Sequence, residues 1–198
     1  MMGRTHMAVA ATAYCAYMLP QTLSEVLPWA TGLGVAILTS QFPDIDEPRS
    51  RIGGYLLPVV PSVLRPICFV LLGAYLVYWG IVNLYWLAII LGVIYLLSVF
   101  LKHRESPTHA LLGVGAAMYV AHSYEPTFLI PIAIGMGSHL ILDILTEGIA
   151  LFWPIPIRIR IPVTRTNSLV EKVVFYYGSQ LALVWLILQA YVLKFFEK

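Results

Sequence analysis

The residues best suited to chemistry are His139 and Asp143, in the stretch Gly-Ser-His-Leu-Ile-Leu-Asp-Ile-Leu-Thr-Glu-Gly at 137 to 148. This stretch lies in a long apolar run from Phe128 to Phe152, which predicts a helix. Residues four apart on a helix stack on one face. An imidazole and a carboxylate set among Leu140, Ile141 and Leu142 are costly unless they bind something. His nitrogen and Asp oxygen are both good ligands for a divalent metal, so one ion would satisfy both. For these two residues alone, a buried His–Asp pair bridging helices is an equal alternative.

The same residue types recur at the ends of other apolar runs. His6 starts the first run, and Asp44 and Asp46 follow the second, in Pro43-Asp44-Ile45-Asp46-Glu47-Pro48. His103 and His109 bracket the junction of the fourth and fifth runs. Each has a plainer reading as a turn, a cap or part of a basic loop. The plain readings must all hold together, and a metal centre explains them at once. Seven groups exceed the four that a single tetrahedral zinc takes. Either two ions share a bridging carboxylate, or one ion is held and the remaining groups orient ligands or act as a base. The donor set is nitrogen and oxygen without thiolate, since Cys15 and Cys68 lie in apolar runs and read as packing residues. Zinc is the first choice, with manganese or iron as alternatives.

These groups need elements to hold them. Of 198 residues, 60% are hydrophobic and 11% charged, against about 25% charged in soluble domains. That makes the chain a polytopic membrane protein, an all-α bundle of about five to seven segments forming a single domain over residues 1 to 198. The apolar runs are Met7 to Leu19, Trp29 to Phe42, Leu64 to Trp79, Leu84 to Leu101, Ala110 to His122, Phe128 to Phe152 and Val173 to Phe196. The first two are short and could form a re-entrant hairpin. Residues 20 to 28 read as a turn and 49 to 63 as a loop. Residues 154 to 172 alternate basic and apolar positions, the pattern of an extended segment near lipid headgroups. No removable signal peptide is expected.

If each run crosses once, ten of the twelve Lys and Arg residues fall on or beside one face; only Lys194 and Lys198 fall on the other. The positive-inside rule makes the richer face cytoplasmic. His6, His103, His109 and His139 come to this face with Asp44, Asp46 and Asp143. His122 comes to the other and reads as structural. A pocket open to the cytoplasmic face follows.

At these residues the chain resembles the YdjM/YbcI-like family of predicted metal-dependent hydrolases of bacterial inner membranes. The resemblance rests on Thr5-His6, Pro43-Asp44-Ile45-Asp46, His103-Arg104 with Thr108-His109, Ser138-His139 with Asp143 and Thr146, and the later acid Glu171. It departs from the family spacing between His103 and His109, where one residue is added, and Ala110 stands where the family has Ser. The family is distantly similar to zinc-dependent phospholipase C and the P1-type nucleases. The resemblance therefore implies hydrolysis of a phosphoester.

The expectation is a metal-dependent hydrolase of a phosphoester or lipid. The ligands are His139, Asp143, Asp44, His103, His6 and His109; Asp46 or Glu171 is the base. Arg104 and Arg165 are candidates for holding phosphate. The expected partner is membrane lipid, and no nucleic acid is expected. Two other classes remain open: a metal transporter, and a non-catalytic metal-binding protein that docks a cytoplasmic partner. A transporter would space its ligands through the membrane depth; here they crowd one face.

Overall fold

Each apolar run, ended by proline, glycine or a polar cluster, folds at least in part as a helix. The computed structural model describes residues 1–193; Lys194 and Lys198, the two cations assigned to the opposite face, lie outside the described residues. Among the described residues there are eight α-helices: α1 (Gly3–Tyr17), α2 (Leu23–Thr39), α3 (Arg51–Leu56), α4 (Arg65–Val82), α5 (Trp86–Phe100), α6 (Leu111–Tyr124), α7 (Leu129–Ile144) and α8 (Gly178–Ile187). Short 3-10 turns at Phe42–Asp46, His103–Glu105 and Pro107–His109 join them, and a π-helical turn at Glu171–Tyr177 leads into α8.

Three helical stretches are long and apolar enough to cross a membrane: Ser62–Val82, Pro126–Ile144 and Glu171–Tyr191. Leu23–Thr39 and Trp86–Phe100 are apolar but shorter. The burial pattern reverses that of a soluble domain. Leu71, Tyr75, Trp86, Leu181 and Trp185 are exposed, whereas Thr5, His6, His109, His139, Asp143 and Glu171 are buried. A water-soluble monomer rarely exposes so much apolar surface. Here hydrocarbon is the natural outer solvent, and the polar groups gather inside.

Four sequence expectations are corrected. Residues 20 to 28 are not all turn, because α2 already starts at Leu23 and carries Pro28 within it. Proline at this interior position removes one backbone hydrogen bond, and its ring crowds the carbonyl four residues earlier. The loop at 49 to 63 contains α3, whose start is capped by Ser50 accepting from the Gly53 N–H at 3.1 Å. The sixth run stops being helical at Ile144, well before Phe152. Gly148 turns the chain there with φ of +83° and donates its N–H to the Asp143 carbonyl at 2.8 Å. The alternating segment at 154 to 172 is extended only in part: residues 156 to 162 carry no helix, and Ile159 forms a single antiparallel bridge with Ile149 among the described residues, but the chain turns at 166 and 167 and is already helical from Leu169.

α7 packs against α1, α2 and α6, and α4 pairs with α5. The α2–α7 contact is unusually close at Gly135. A Cβ there would stand 2.2 Å from Thr39 Oγ1 and 2.4 Å from the Ala36 carbonyl oxygen. This approach brings the end of α2 against His139 one turn further along α7. Gly135→Ala is expected to destabilise the protein by about 1–3 kcal/mol, since the backbone of α2 must move. Thermal unfolding in detergent measures it, and an unchanged midpoint would contradict the packing described.

Candidate metal centre

Helix direction alternates so that one end of the bundle collects the start of α1, the ends of α2, α5 and α7, and the start of α6. His6 lies in the first turn or so of α1, and Asp44 and Asp46 lie in the 3-10 turn after α2. His103 follows α5, His109 precedes α6, and His139 and Asp143 occupy the last turns of α7. The six residues expected as ligands therefore come from five separate places in the chain and meet at one point. His6, His139 and Asp143 offer ligand atoms within 4.8 Å of one another, as do Asp44, His103 and His109.

The two trios interlock. Asp44 Oδ1 lies 3.2 Å from His103 Nε2, 3.5 Å from His109 Nε2 and 3.5 Å from His139 Nε2. Asp143 Oδ2 lies 3.6 Å from His139 Nε2 and 3.8 Å from His109 Nε2, and its Oδ1 lies 3.6 Å from His6 Nε2. The His6 and His139 rings stack at 3.7 Å between centroids. Separations of 3.5 to 3.8 Å are too long for hydrogen bonds. They match the distance between two ligands of one tetrahedral ion, about 3.4 Å for bonds near 2.1 Å. The Nε2 atoms of His109 and His139, which face both carboxylates, are buried with no hydrogen-bond partner. Orphaned buried imidazole nitrogens are costly. A divalent ion fits this donor set and would relieve that cost.

The surroundings fix the ring orientations. His139 Nδ1 lies 2.7 Å from the Ser40 carbonyl oxygen and donates to it, which leaves the Nε2 lone pair facing the cluster. His103 Nδ1 lies 2.7 Å from Asp46 Oδ1, so Asp46 stands behind this ring as a carboxylate orienter. Burial alone would raise the Asp44 carboxyl, but the imidazoles of His139, His103 and His109 hold it well below the ordinary carboxylate range. Burial opposes protonation of His103, yet hydrogen bonds to Asp44 and Asp46 win and raise it to about 10. Burial lowers His109 despite its contact with Asp44. Without an ion, His103 is thus the cation that balances two acids, and an ion must displace its proton to use Nε2.

The remaining expected residues are placed differently. Arg104 reaches the cluster, with Nη1 3.4 Å from Asp143 Oδ2 and Nε 3.7 Å from Glu147 Oε2. Arg165 is exposed, and among the described residues no side-chain hydrogen bond or ion pair ties it to the cluster. Glu171 is fully buried, but its oxygens accept the backbone N–H groups of Met2 at 2.6 Å and Asn167 at 2.5 Å. It pins the N-terminal segment to the π-helical turn. That segment places the Met1 amine 2.8 Å from Asp143 Oδ1. His122 lies exposed at the far end of α6, apart from the cluster. Two participants have no signal in sequence: the Ser40 carbonyl is a backbone group, and the Met1 amine reaches Asp143 only through the fold.

Comparison with curated proteins and with solved structures gives no match. The model of one family, described as YdjM inner membrane protein, matches residues 1–197, so the chain belongs to the YdjM inner membrane protein family.

Proposed function

We propose that this protein is a membrane-embedded metal-dependent hydrolase acting on a phosphoester of a lipid at the cytoplasmic face. The observation that carries this reading is the interlocked cluster, in which Asp44 and Asp143 both face the Nε2 atoms of His109 and His139, two buried imidazole nitrogens that lack hydrogen-bond partners. One or two divalent ions, zinc first, suit it, held by His6, His139 and Asp143 and by Asp44, His103 and His109. Such ions supply Lewis-acid polarisation of a phosphoryl oxygen and acidify water toward neutrality.

The chain's own groups do the rest. Ser40 and Asp46 hold His139 and His103 in a single orientation. Asp46 is the proton acceptor: its Oδ1 holds His103, while its Oδ2 is buried without a partner. Arg104 sits at the rim of the cluster and offers guanidinium N–H groups to a phosphate oxygen. Glu171 positions the N-terminal segment, and its occupied oxygens take it out of the proton chemistry. The test is hydrolysis of lipid phosphoesters in micelles or bilayers by metal-replete protein. If a broad panel of lipid and soluble esters is left intact, the hydrolase reading fails and a partner-docking metal protein takes its place.

The orientation rests on the distribution of cations, ten of twelve on or beside the face that carries the cluster if each apolar run crosses once. The reading of five to seven crossings comes from the apolar runs, of which three form helices long enough to span. Ser50→Cys and Thr166→Cys, each in a background without Cys15 and Cys68, are expected to resist an impermeant thiol reagent in intact cells. Ready labelling of both would place the cluster on the other side.

A further inference from the structure

We propose that the apolar cavity between α5, α6 and α7 seats one acyl chain of the lipid whose phosphoester meets the histidine–carboxylate cluster. The inference rests on the hydrolase reading and names the chemical class of its substrate. The cavity holds about 450 Å³, within the range of small-molecule sites. Its wall is almost wholly apolar and runs along one face of α6, through Gly113, Ala116, Ala117, Val120, Ala121 and Tyr124. These positions recur every three to four residues, so they form one stripe. Small side chains on that stripe leave the slot open. Eleven residues of helix separate its ends, about 16 Å at 1.5 Å per residue. An elongated apolar slot of this kind suits an alkyl chain rather than a polar metabolite.

The link to the cluster is direct. Thr108 lines the cavity, and its Oγ1 lies 3.4 Å from His109 Nδ1. Met136 also lines it, three residues before His139 on α7 and so on the same side of that helix. Ile45 lines it between Asp44 and Asp46. Three of the segments that carry the cluster therefore also wall the cavity. A chain seated there would leave its polar end beside the cluster.

The occupant follows from the surroundings. The chain belongs to an inner membrane family, and its outer surface is apolar. The hydrocarbon around it is made of acyl chains at very high local concentration. Moving one chain from bilayer into an apolar slot exchanges one apolar environment for another. The slot therefore contributes registration more than affinity. Selectivity lies at the phosphate end, where Arg104 and the cluster stand.

The test uses the full chain in phosphatidylethanolamine–phosphatidylglycerol vesicles, doped with phosphatidylglycerol that carries a diazirine at the end of one acyl chain. After irradiation, adducts should concentrate on the cavity faces of α5 and α6. Ala117→Phe should cut those adducts at least about tenfold by filling the slot, with Val120→Trp as a second plug. Adducts on the outer face of α4, at Leu71 and Tyr75, should not change in either variant. Adducts spread evenly over α4 and α6, or cavity adducts unmoved by both plugs, would overturn the proposal. Labelling needs no turnover, which separates the two readings. Cavity adducts without lipid hydrolysis would sink the hydrolase reading and leave the acyl seat standing. Lipid hydrolysis without cavity adducts would do the reverse.

Discussion

His139→Ala should lower metal affinity by at least about a hundredfold, so that protein purified in detergent should carry far less metal than wild type purified alike. His139 is the residue that joins the two trios. Its Nε2 faces Asp44 at 3.5 Å and Asp143 at 3.6 Å, and its ring stacks on His6. Removing it opens a gap between the carboxylates and leaves the Ser40 carbonyl without its donor. Asp143→Ala should act alike, because three imidazoles and Arg104 face that one side chain. His122→Ala, at the far end of α6, should leave metal content at the wild-type value and so controls for helix damage. Elemental analysis of the three variants, with circular dichroism to establish folding, decides the matter. Wild-type metal content in both His139→Ala and Asp143→Ala would reject the ligand set.

Asp46→Asn should separate chemistry from metal binding. The amide keeps the size of the side chain and can still pair with His103, but it no longer accepts a proton. Orienting groups behind a ligand typically alter metal affinity by about 10–100-fold, so the comparison must be made at saturating metal. Under that condition hydrolysis of a lipid phosphoester should fall by about a hundredfold or more, the usual worth of general acid–base help. Glu171→Gln should behave otherwise. Its carboxylate accepts two backbone N–H groups, and an amide offers only one oxygen. The variant should lose stability, with turnover per folded, metal-loaded molecule nearly intact. The reverse outcome, full turnover in Asp46→Asn and selective loss in Glu171→Gln, would exchange the two roles.

Much was legible in the sequence by itself. Apolar runs long enough to be helices, broken by proline and glycine, established an all-helical membrane chain, because backbone polar groups in lipid must be satisfied within helices or closed barrels. Counting helix ends brought His6, Asp44, His103, His109 and Asp143 to one end of the bundle before any distance was known. Polar side chains are so costly in hydrocarbon that their presence in apolar runs already marked the site.

Side-chain direction was not legible, since it depends on packing between segments distant in sequence. Sequence treated Asp46 and Glu171 as equivalent acids. The fold set Asp46 behind His103 and spent both oxygens of Glu171 on backbone amides. Arg104 and Arg165 also read alike, yet only Arg104 comes within reach of Asp143, because the extended segment after Gly148 leaves Arg165 exposed. The Ser40 carbonyl that orients His139 carries no side-chain signature, and its position depends on the close approach of α2 to Gly135. The kinds of residue present and the end of the bundle they occupy follow from local periodicity and the cost of burying charge. Which oxygen faces which nitrogen is decided only when α1, α2 and α7 pack together.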